Sequence, residues 1–141
     1  MKTYSLAEFS VIVGVVTLEE DKGEIAIEPF GERYKGVSGN DGTLTVIEDK
    51  GADNHYVSIK CPGTSPINAV LSAIYQVQTR SAGGVAGQFP FVVKDRLGTT
   101  TLVAGAALIV GWPARTLTKD SPGDVTWKIM VEQPERFEGG N

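Results

Sequence analysis

The chain contains few side chains whose chemistry could support catalysis. His55 is its only histidine and Cys61 its only cysteine. A Ser-His-Asp or Cys-His arrangement would need His55 as its base, yet this residue follows the polar sequence Gly-Ala-Asp-Asn and has no nucleophile motif nearby. We therefore interpret His55 as a solvated loop histidine and Cys61 as a partly buried structural thiol. No catalytic residue and no enzymatic activity are predicted.

The same scarcity argues against a metal ion or a cofactor. His55 and Cys61 could supply two ligands, whereas a structural zinc site needs four. The glycine-rich residues 81–87 follow a helix pattern instead of preceding one and lack a Gly-Lys-Ser/Thr ending, so they do not predict a phosphate cradle. The loop aspartates do not follow calcium-loop spacing and are interpreted as solvated turn acids. These aspartates are Asp41, Asp49 and Asp53.

Length and charge indicate a single domain with an uneven charge distribution. The 141 residues carry a net charge of −4, which disfavours ordinary nucleic-acid binding because no cluster of Lys and Arg is present. Residues 1–53 hold 11 acids and five bases, a net of −6, and residues 54–141 hold six acids and eight bases, a net of +2. The asymmetry is compatible with ordinary surface variation. It would equally favour head-to-tail assembly, in which two different patches of the same molecule meet.

Compartment and membrane signals are few. A lone cysteine favours a reducing compartment, although an intermolecular disulfide stays open. The first residues include an acid where a signal peptide would begin its apolar core, so export by that route is not expected. The longest uncharged run, residues 97–114, is interrupted by Gly and Pro and is interpreted as a buried strand.

Most of the chain has strand patterns. Residues 10–18 and 24–28 are expected to pair through a polar connection at residues 19–23, and residues 43–47 and 56–61 through a second hairpin. Further strands are predicted at residues 89–95, 99–111 and 125–131. Glycine-rich residues 29–42 predict a long loop, residues 80–88 a flexible connection, and residues 133–141 a frayed tail.

One convincing helix interrupts the strands, at about residues 65–79. Ser65 or Thr64 can cap its first turn, and Pro66 suits the first helical position because it has no N–H to leave unpaired. The apolar residues then recur at helical spacing and predict one buried stripe. They are Ile67, Val70, Leu71, Ile74 and Val77. The fold class is therefore mainly β: an antiparallel β-sandwich or barrel with one flanking α-helix and a long glycine-rich loop.

Residues 64–75, TSPINAVLSAIY, resemble the helix segment of tail tube proteins from contractile-tailed bacteriophages. In that family a Thr-Ser-Pro-hydrophobic-Asn opening leads into a Leu-Ser-Ala-hydrophobic-Tyr run. Residues 4–8, YSLAE, resemble the approach to the family's first strand, and residues 123–129, GDVTWKI, resemble its final strand. Residues 29–42 and 80–88 offer no clear match. The order of the three segments spans most of the chain.

The resemblance implies a structural subunit of a phage tail tube. Such subunits form hexameric rings that stack head to tail inside a contractile sheath, and DNA passes through the lumen without specific binding. The implied partners are other copies of the chain, the sheath protein, the tape-measure protein, and baseplate or neck components. No membrane is implied, and the location is the virion tail after assembly in the host cytoplasm. The acidic charge would repel DNA phosphates in the lumen.

The charge asymmetry suggests where rings meet. Acids in residues 29–55 could contact the basic excess of a neighbouring copy. The candidate inter-ring residues are Arg33, Lys35, Asp41, Glu48, Asp49 and Lys50. Two alternatives stay open: a monomeric β-sandwich module that binds a small ligand or glycan through surface Trp and Tyr, and a tube subunit of a related contractile injection machine.

Overall fold

A computed structural model describes residues 1–14, 16–18 and 23–140. These residues contain one α-helix, α1 (Ile67–Thr79), and short 3₁₀ turns at Leu6–Glu8, Lys50–Asp53 and Ala82–Gly87. The strands in the same part of the chain are β1 (Phe9–Val13), β2 (Val16–Leu18), β3 (Glu24–Pro29), β4 (Tyr34–Ser38), β5 (Leu44–Glu48), β6 (His55–Pro62), β7 (Phe89–Asp95), β8 (Thr101–Ile109), β9 (Asp124–Val131) and β10 (Glu135–Phe137).

Eight of these strands form one antiparallel sheet. Its order is β2-β1-β7-β8-β9-β6-β3, and β10 pairs with β8 beside this path. The remaining strands, β4 and β5, form a separate two-stranded sheet. The predicted fold class, mainly β and antiparallel with one flanking helix, is confirmed for the described residues.

Alternation along the central strands creates the core. Every second residue of β9 is buried, from Val125 to Val131, and β6 buries its own alternate residues against the same core. Strands from both ends of the sheet order contribute to one hydrophobic cluster, with Leu18 of β2 at one end and Ile25 and Ile27 of β3 at the other. This shared core holds the sheet and the helix together.

The helix begins as its sequence predicts. The Ser65 hydroxyl accepts a hydrogen bond from the N–H of Ile67 at 3.3 Å, and Pro66 already has helical dihedral angles. Ile67 and Leu71 are buried in the core, as the apolar stripe requires. The prediction was wrong at its far end, because Val77 is half exposed and Gln78 is buried instead.

Gln78 is buried because its amide binds the backbone of β8. Its Nε2 donates to the carbonyl of Ile109 at 2.8 Å, and its Oε1 accepts from the N–H of Ile109 at 3.1 Å. Both hydrogen bonds lie in the interior, where an unpaired amide would be costly. They fix the last turn of α1 to the sheet.

Both predicted hairpins among the early strands were wrong. Gly14, at φ +63°, turns the chain so that residues 10–18 form two strands, β1 and β2, which pair with each other. Strand β3 pairs with β6, and β6 pairs with β9 on its other side. The proposed connection at residues 19–23 falls largely on residues 19–22, which lie outside the described residues.

Three segments predicted to be irregular are ordered. The predicted long loop contains β4, which pairs with β5 along its whole length. Residues 80–88 contain the 3₁₀ turn at Ala82–Gly87, and the predicted frayed tail contributes β10 to the large sheet. Glycine content misled the first two predictions, because Gly36 lies inside a strand and Gly83 and Gly84 adopt positive φ within a defined turn.

Candidate assembly interface

The β4–β5 hairpin, residues 34–48, is called the arm. Its strands are paired with each other, and within the described residues neither joins the large sheet. The register pairs Tyr34 with Glu48, Gly36 with Val46 and Ser38 with Leu44. Because directly opposed residues lie on the same side of an antiparallel pair, these six residues share one face, called the Leu44 face.

The opposite side of the arm, called the Ile47 face, is built from the other register pairs. Lys35 is opposite Ile47, and Val37 is opposite Thr45. Large apolar side chains on both faces are between 46% and 62% exposed: Tyr34, Val37, Leu44, Val46 and Ile47. Fully burying one such side chain contributes roughly 1.5–3 kcal/mol, so an arm that is apolar on both faces is suited to contact with a partner.

Arg33 holds the base of the arm. Its guanidinium donates to the carboxylate of Asp53 and, at 3.2 Å, to that of Glu48, so it links the end of β5 to the 3₁₀ turn that follows. The pKa of Arg33 is raised mainly by its hydrogen bond to Asp53 and next by its hydrogen bond to Glu48. The N–H of Asp49 also donates to the carbonyl of Arg33 at 2.7 Å. The two ends of the arm are thereby held together.

The tip of the arm is a tight turn. The N–H of Gly39 donates to the carbonyl of Thr43 at 2.7 Å, and Gly42 has φ +85°, which an L side chain would adopt only with strain. The Asp41 carboxylate accepts from the N–H of Thr43 at 3.0 Å. The pKa of Asp41 is lowered mainly by a hydrogen bond from the Thr43 side chain and next by this backbone hydrogen bond, because both favour the charged form.

All six sequence-predicted contact residues lie on the arm or at its base. Of these, Arg33 and Glu48 are brought into direct contact, Lys35 and Asp41 lie on the hairpin itself, and Asp49 and Lys50 follow it. The Asp49 carboxylate caps the next turn by accepting from the N–H of Gly51 at 3.1 Å, and the Lys50 carbonyl accepts from the Gln133 side chain at 2.9 Å. Whether any of them contacts another subunit stays a prediction.

Sequence reasoning missed the apolar residues of the arm. A signal was present, because residues 34–38 and 44–48 both contain apolar side chains and flank a Gly-Asn-Asp-Gly turn. The alternation is two-sided, however, and lacks the apolar-polar contrast of a strand with one face in a core. Such a pattern resembles a loop unless a partner on each side is considered.

His55 is not the solvated loop residue that the sequence predicts. It begins β6 and is buried, with Nδ1 at 2.6 Å from the Asp53 carbonyl and Nε2 at 3.2 Å from Nη1 of Arg136. The guanidinium can only donate, so Nε2 accepts and the Nδ1–H donates to Asp53. His55 therefore connects the base of the arm to β10.

Cys61 and the tryptophans have structural surroundings. Cys61 is fully buried, and its thiol donates to Oδ1 of Asn68 at 3.2 Å. Trp127 is buried and donates to the same oxygen at 2.9 Å. Trp112 is largely exposed and packs edge-on against Tyr75 with ring centroids 4.8 Å apart. One tryptophan thus belongs to the core and the other to the surface.

No group of three or more His, Cys, Asp or Glu side chains among the described residues is arranged to hold a metal ion. In the same part of the chain, no helix has the length and apolar character needed to cross a membrane.

The fold is shared with two solved structures over almost the whole chain. One is described as the sheath/tube terminator of an extracellular contractile injection system, PVC, in the extended state: TM-score 0.66, 8% identity, covering 98% of this chain and 99% of the other. The second is described as the tube terminating cap of the anti-feeding prophage: TM-score 0.64, 8% identity, covering 97% and 92%.

At 8% identity, these likenesses show a common fold. No protein-family model and no curated protein matches the sequence. The chain therefore has the fold of tube terminator and cap proteins from contractile injection systems. The near-complete coverage of both chains indicates that this fold accounts for their full lengths.

Proposed function

We propose that the protein is a structural subunit of the tube of a contractile injection machine, either a phage tail or a related headless device. The arm is the observation that carries this proposal. It presents apolar side chains on both faces and is held at its base by Arg33, as expected of an element that inserts between neighbouring subunits. The sequence resemblance and the shared fold support the same assignment.

Ring formation would use the edges of the large sheet. Strands β2 and β3 occupy the two ends of the strand order in the described part of the sheet. Exposed edges favour pairing with another chain. Six copies joined in this way would give the hexameric ring that the family resemblance implies, with stacked rings forming a tube.

The remaining partners follow from this role. A sheath protein would surround the tube, and tape-measure, neck or baseplate proteins would contact its interior or ends. In a phage, DNA would pass through the lumen, and the net charge of −4 would limit adhesion of its phosphates. The assembled particle would be the protein's location.

Replacing the arm tests the proposal. Because the N–H of Asp49 bonds to the carbonyl of Arg33, residues 34–48 can be replaced with a two-residue Asn-Gly turn without separating the ends. We expect this variant to fold with the circular dichroism spectrum of a β-protein but to lose stacked rings in negative-stain micrographs. A monomeric wild-type protein across micromolar concentrations, or unchanged stacking without the arm, would contradict the proposal.

A second candidate is a ring that ends a tube. It is favoured by the two compared structures, whose descriptions name a terminator and a terminating cap. A terminal ring needs one stacking surface for the tube, whereas a repeating subunit needs two. Both roles are compatible with this fold.

A further inference from the structure

An apolar groove lies between the last turns of α1 and the β1–β2 turn. Val13 and Phe89, both buried, form its floor. Ala73, Ile74 and Val77 of α1 form one wall, and Val16 of β2 contributes to the other. The groove has a volume of about 370 Å³ and no charged residue lines it. Val77 is half exposed, so the helical wall is open to a partner.

The Leu44 face of the arm carries two neighbouring aliphatic side chains. Leu44 and Val46 lie two residues apart on one strand and point to the same side, with their Cα atoms roughly 7 Å apart. Gly36 is opposite Val46 and contributes no side chain. The Leu44 side chain lies over this glycine, with its Cδ1 3.0 Å from where a Cβ of Gly36 would stand, so the aliphatic ridge packs partly on the neighbouring strand.

If the arm occupies the groove, it is the arm of another molecule. Both apolar residues of the ridge are about 60% exposed on their own protomer, Leu44 at 62% and Val46 at 58%. Leu44 and Val46 are therefore not buried in the groove of their own protomer. The contact would join two different patches and leave each copy with one arm and one groove to offer.

The formal charges of the two regions are complementary. Residues 29–53, which include the arm, contain five acids and three bases, a net of −2. Residues 64–117, which include α1 and β7, contain four bases and one acid, a net of +3. Arg80 directly follows the helical wall, one turn beyond Val77, and Asp41 lies at the arm's tip. Opposite charges would orient the approach, and apolar burial would stabilise the contact.

We propose that the Leu44 face of the arm binds the groove of a second copy of this chain, with Leu44 and Val46 as the inserted side chains. This inference rests on the proposed function and names the receiving surface for it. Another apolar pocket, lined by Phe30, Leu108 and Met130, has a volume of about 200 Å³ and includes Glu132. It is smaller and carries a charge, so it serves as the comparison site.

Disulfide trapping tests the assignment. The full-length protein is made with Val46→Cys and Val77→Cys, and separately with Val46→Cys and Met130→Cys. Each single variant is a control, and the native Cys61 stays in place because it is buried. Assembled particles are oxidised and analysed by non-reducing electrophoresis. Particles kept reduced are imaged to verify that the variants still assemble.

We expect the Val46–Val77 pair to give a ladder of dimers, trimers and longer species, at roughly tenfold or more the yield of the Val46–Met130 pair. If Val46→Cys prevents assembly, Leu44→Cys replaces it. Assembled rings that cross-link only through Met130, that stop at dimers, or that do not cross-link overturn the groove assignment and leave the tube proposal standing. Failure of the wild-type chain to assemble overturns both.

Discussion

Gly87 shows how closely the end of α1 is packed. A Cβ atom at this position would lie 2.2 Å from Cβ of Gln78 and 2.6 Å from its Cα. Since one of these is a backbone atom, a rotamer change cannot relieve the clash. Gln78 in turn holds Ile109 through two hydrogen bonds, so displacement at Gly87 would propagate to β8.

We therefore expect Gly87→Ala to lower the free energy of unfolding by about 1–3 kcal/mol. Gly105→Ala is the matched control, because a Cβ there has nothing within 4 Å and the residue lies in β8 without a positive φ. Urea denaturation followed by tryptophan fluorescence measures both. Equal stability of the two variants would show that the packing around Gln78 tolerates a methyl group.

The tip of the arm has a pH dependence of defined sign. The hydrogen bonds from Thr43 lower the pKa of Asp41 in the folded state, so the contribution of this carboxylate to the turn is present above its unfolded pKa. It is lost as the pH falls through the folded pKa, in the acidic range below about 4. At neutral pH the turn keeps these hydrogen bonds.

NMR can follow this titration through the Thr43 amide. We expect its protection against hydrogen exchange, relative to an unstructured peptide at the same pH, to decrease and its chemical shift to move as Asp41 is protonated. Asp41→Asn keeps an oxygen acceptor that does not titrate and should remove the acid-induced change, whereas Asp41→Ala should give the unprotected state at every pH. A wild-type amide that does not respond between pH 5 and 2 would contradict this prediction.

At the scale of elements, the direction of the arm depends on its base. Arg33 contacts Asp53 and Glu48 at once, and a lysine cannot reproduce this two-sided contact with a single ammonium group. His55 extends the connection, because it bonds to the Asp53 carbonyl and to Arg136 on β10. These contacts place the arm relative to the large sheet.

Arg33→Ala should therefore impair assembly more than folding. The core lies elsewhere, so we expect a thermal midpoint close to that of the wild type together with fewer stacked rings in micrographs. Lys119→Ala is the control, since it removes an exposed positive charge from a bend outside the arm and its base. Equal stacking in the two variants would indicate that the Arg33 contacts do not position the arm for assembly.

The elements differ in how much of them the sequence could predict. The helix at α1 has a cap, a proline and an apolar stripe within 15 residues, and β9 alternates strictly, so both were predicted nearly to their ends. Which strands pair depends on long-range contacts. Strand β6 lies between β3 and β9, and more than 60 residues separate β6 from β9 in the sequence. Local hairpin rules contain no information about such contacts.

The candidate interface was predicted only in part, and for a related reason. The charges of residues 29–55 pointed to the segment that contains the arm, but the exposed apolar residues of the arm are not buried in the core of their own protomer. A strand pattern is informative when one face is buried within the same chain. An element whose burial requires another subunit has its signal divided between two molecules.

For the whole molecule, the proposed function allows two arrangements, a ring that repeats along a tube and a ring that ends one. A repeating subunit carries an arm and a receiving groove, so a non-closing contact adds rings without limit. A terminal ring adds once. The complementary charges of residues 29–53 and 64–117, present on the same chain, favour repetition, because every added ring presents both surfaces again.

We therefore expect tube length to grow with protein concentration. Purified wild-type protein, assembled over a hundredfold range of concentration, should give longer tubes at each step, because association of rings obeys mass action. Electron micrographs measure the distribution of lengths, and the arm-replaced variant should stay at single rings throughout. Wild-type particles of one fixed height at all concentrations would instead assign the chain to the end of a tube, since its second surface would then not accept another ring.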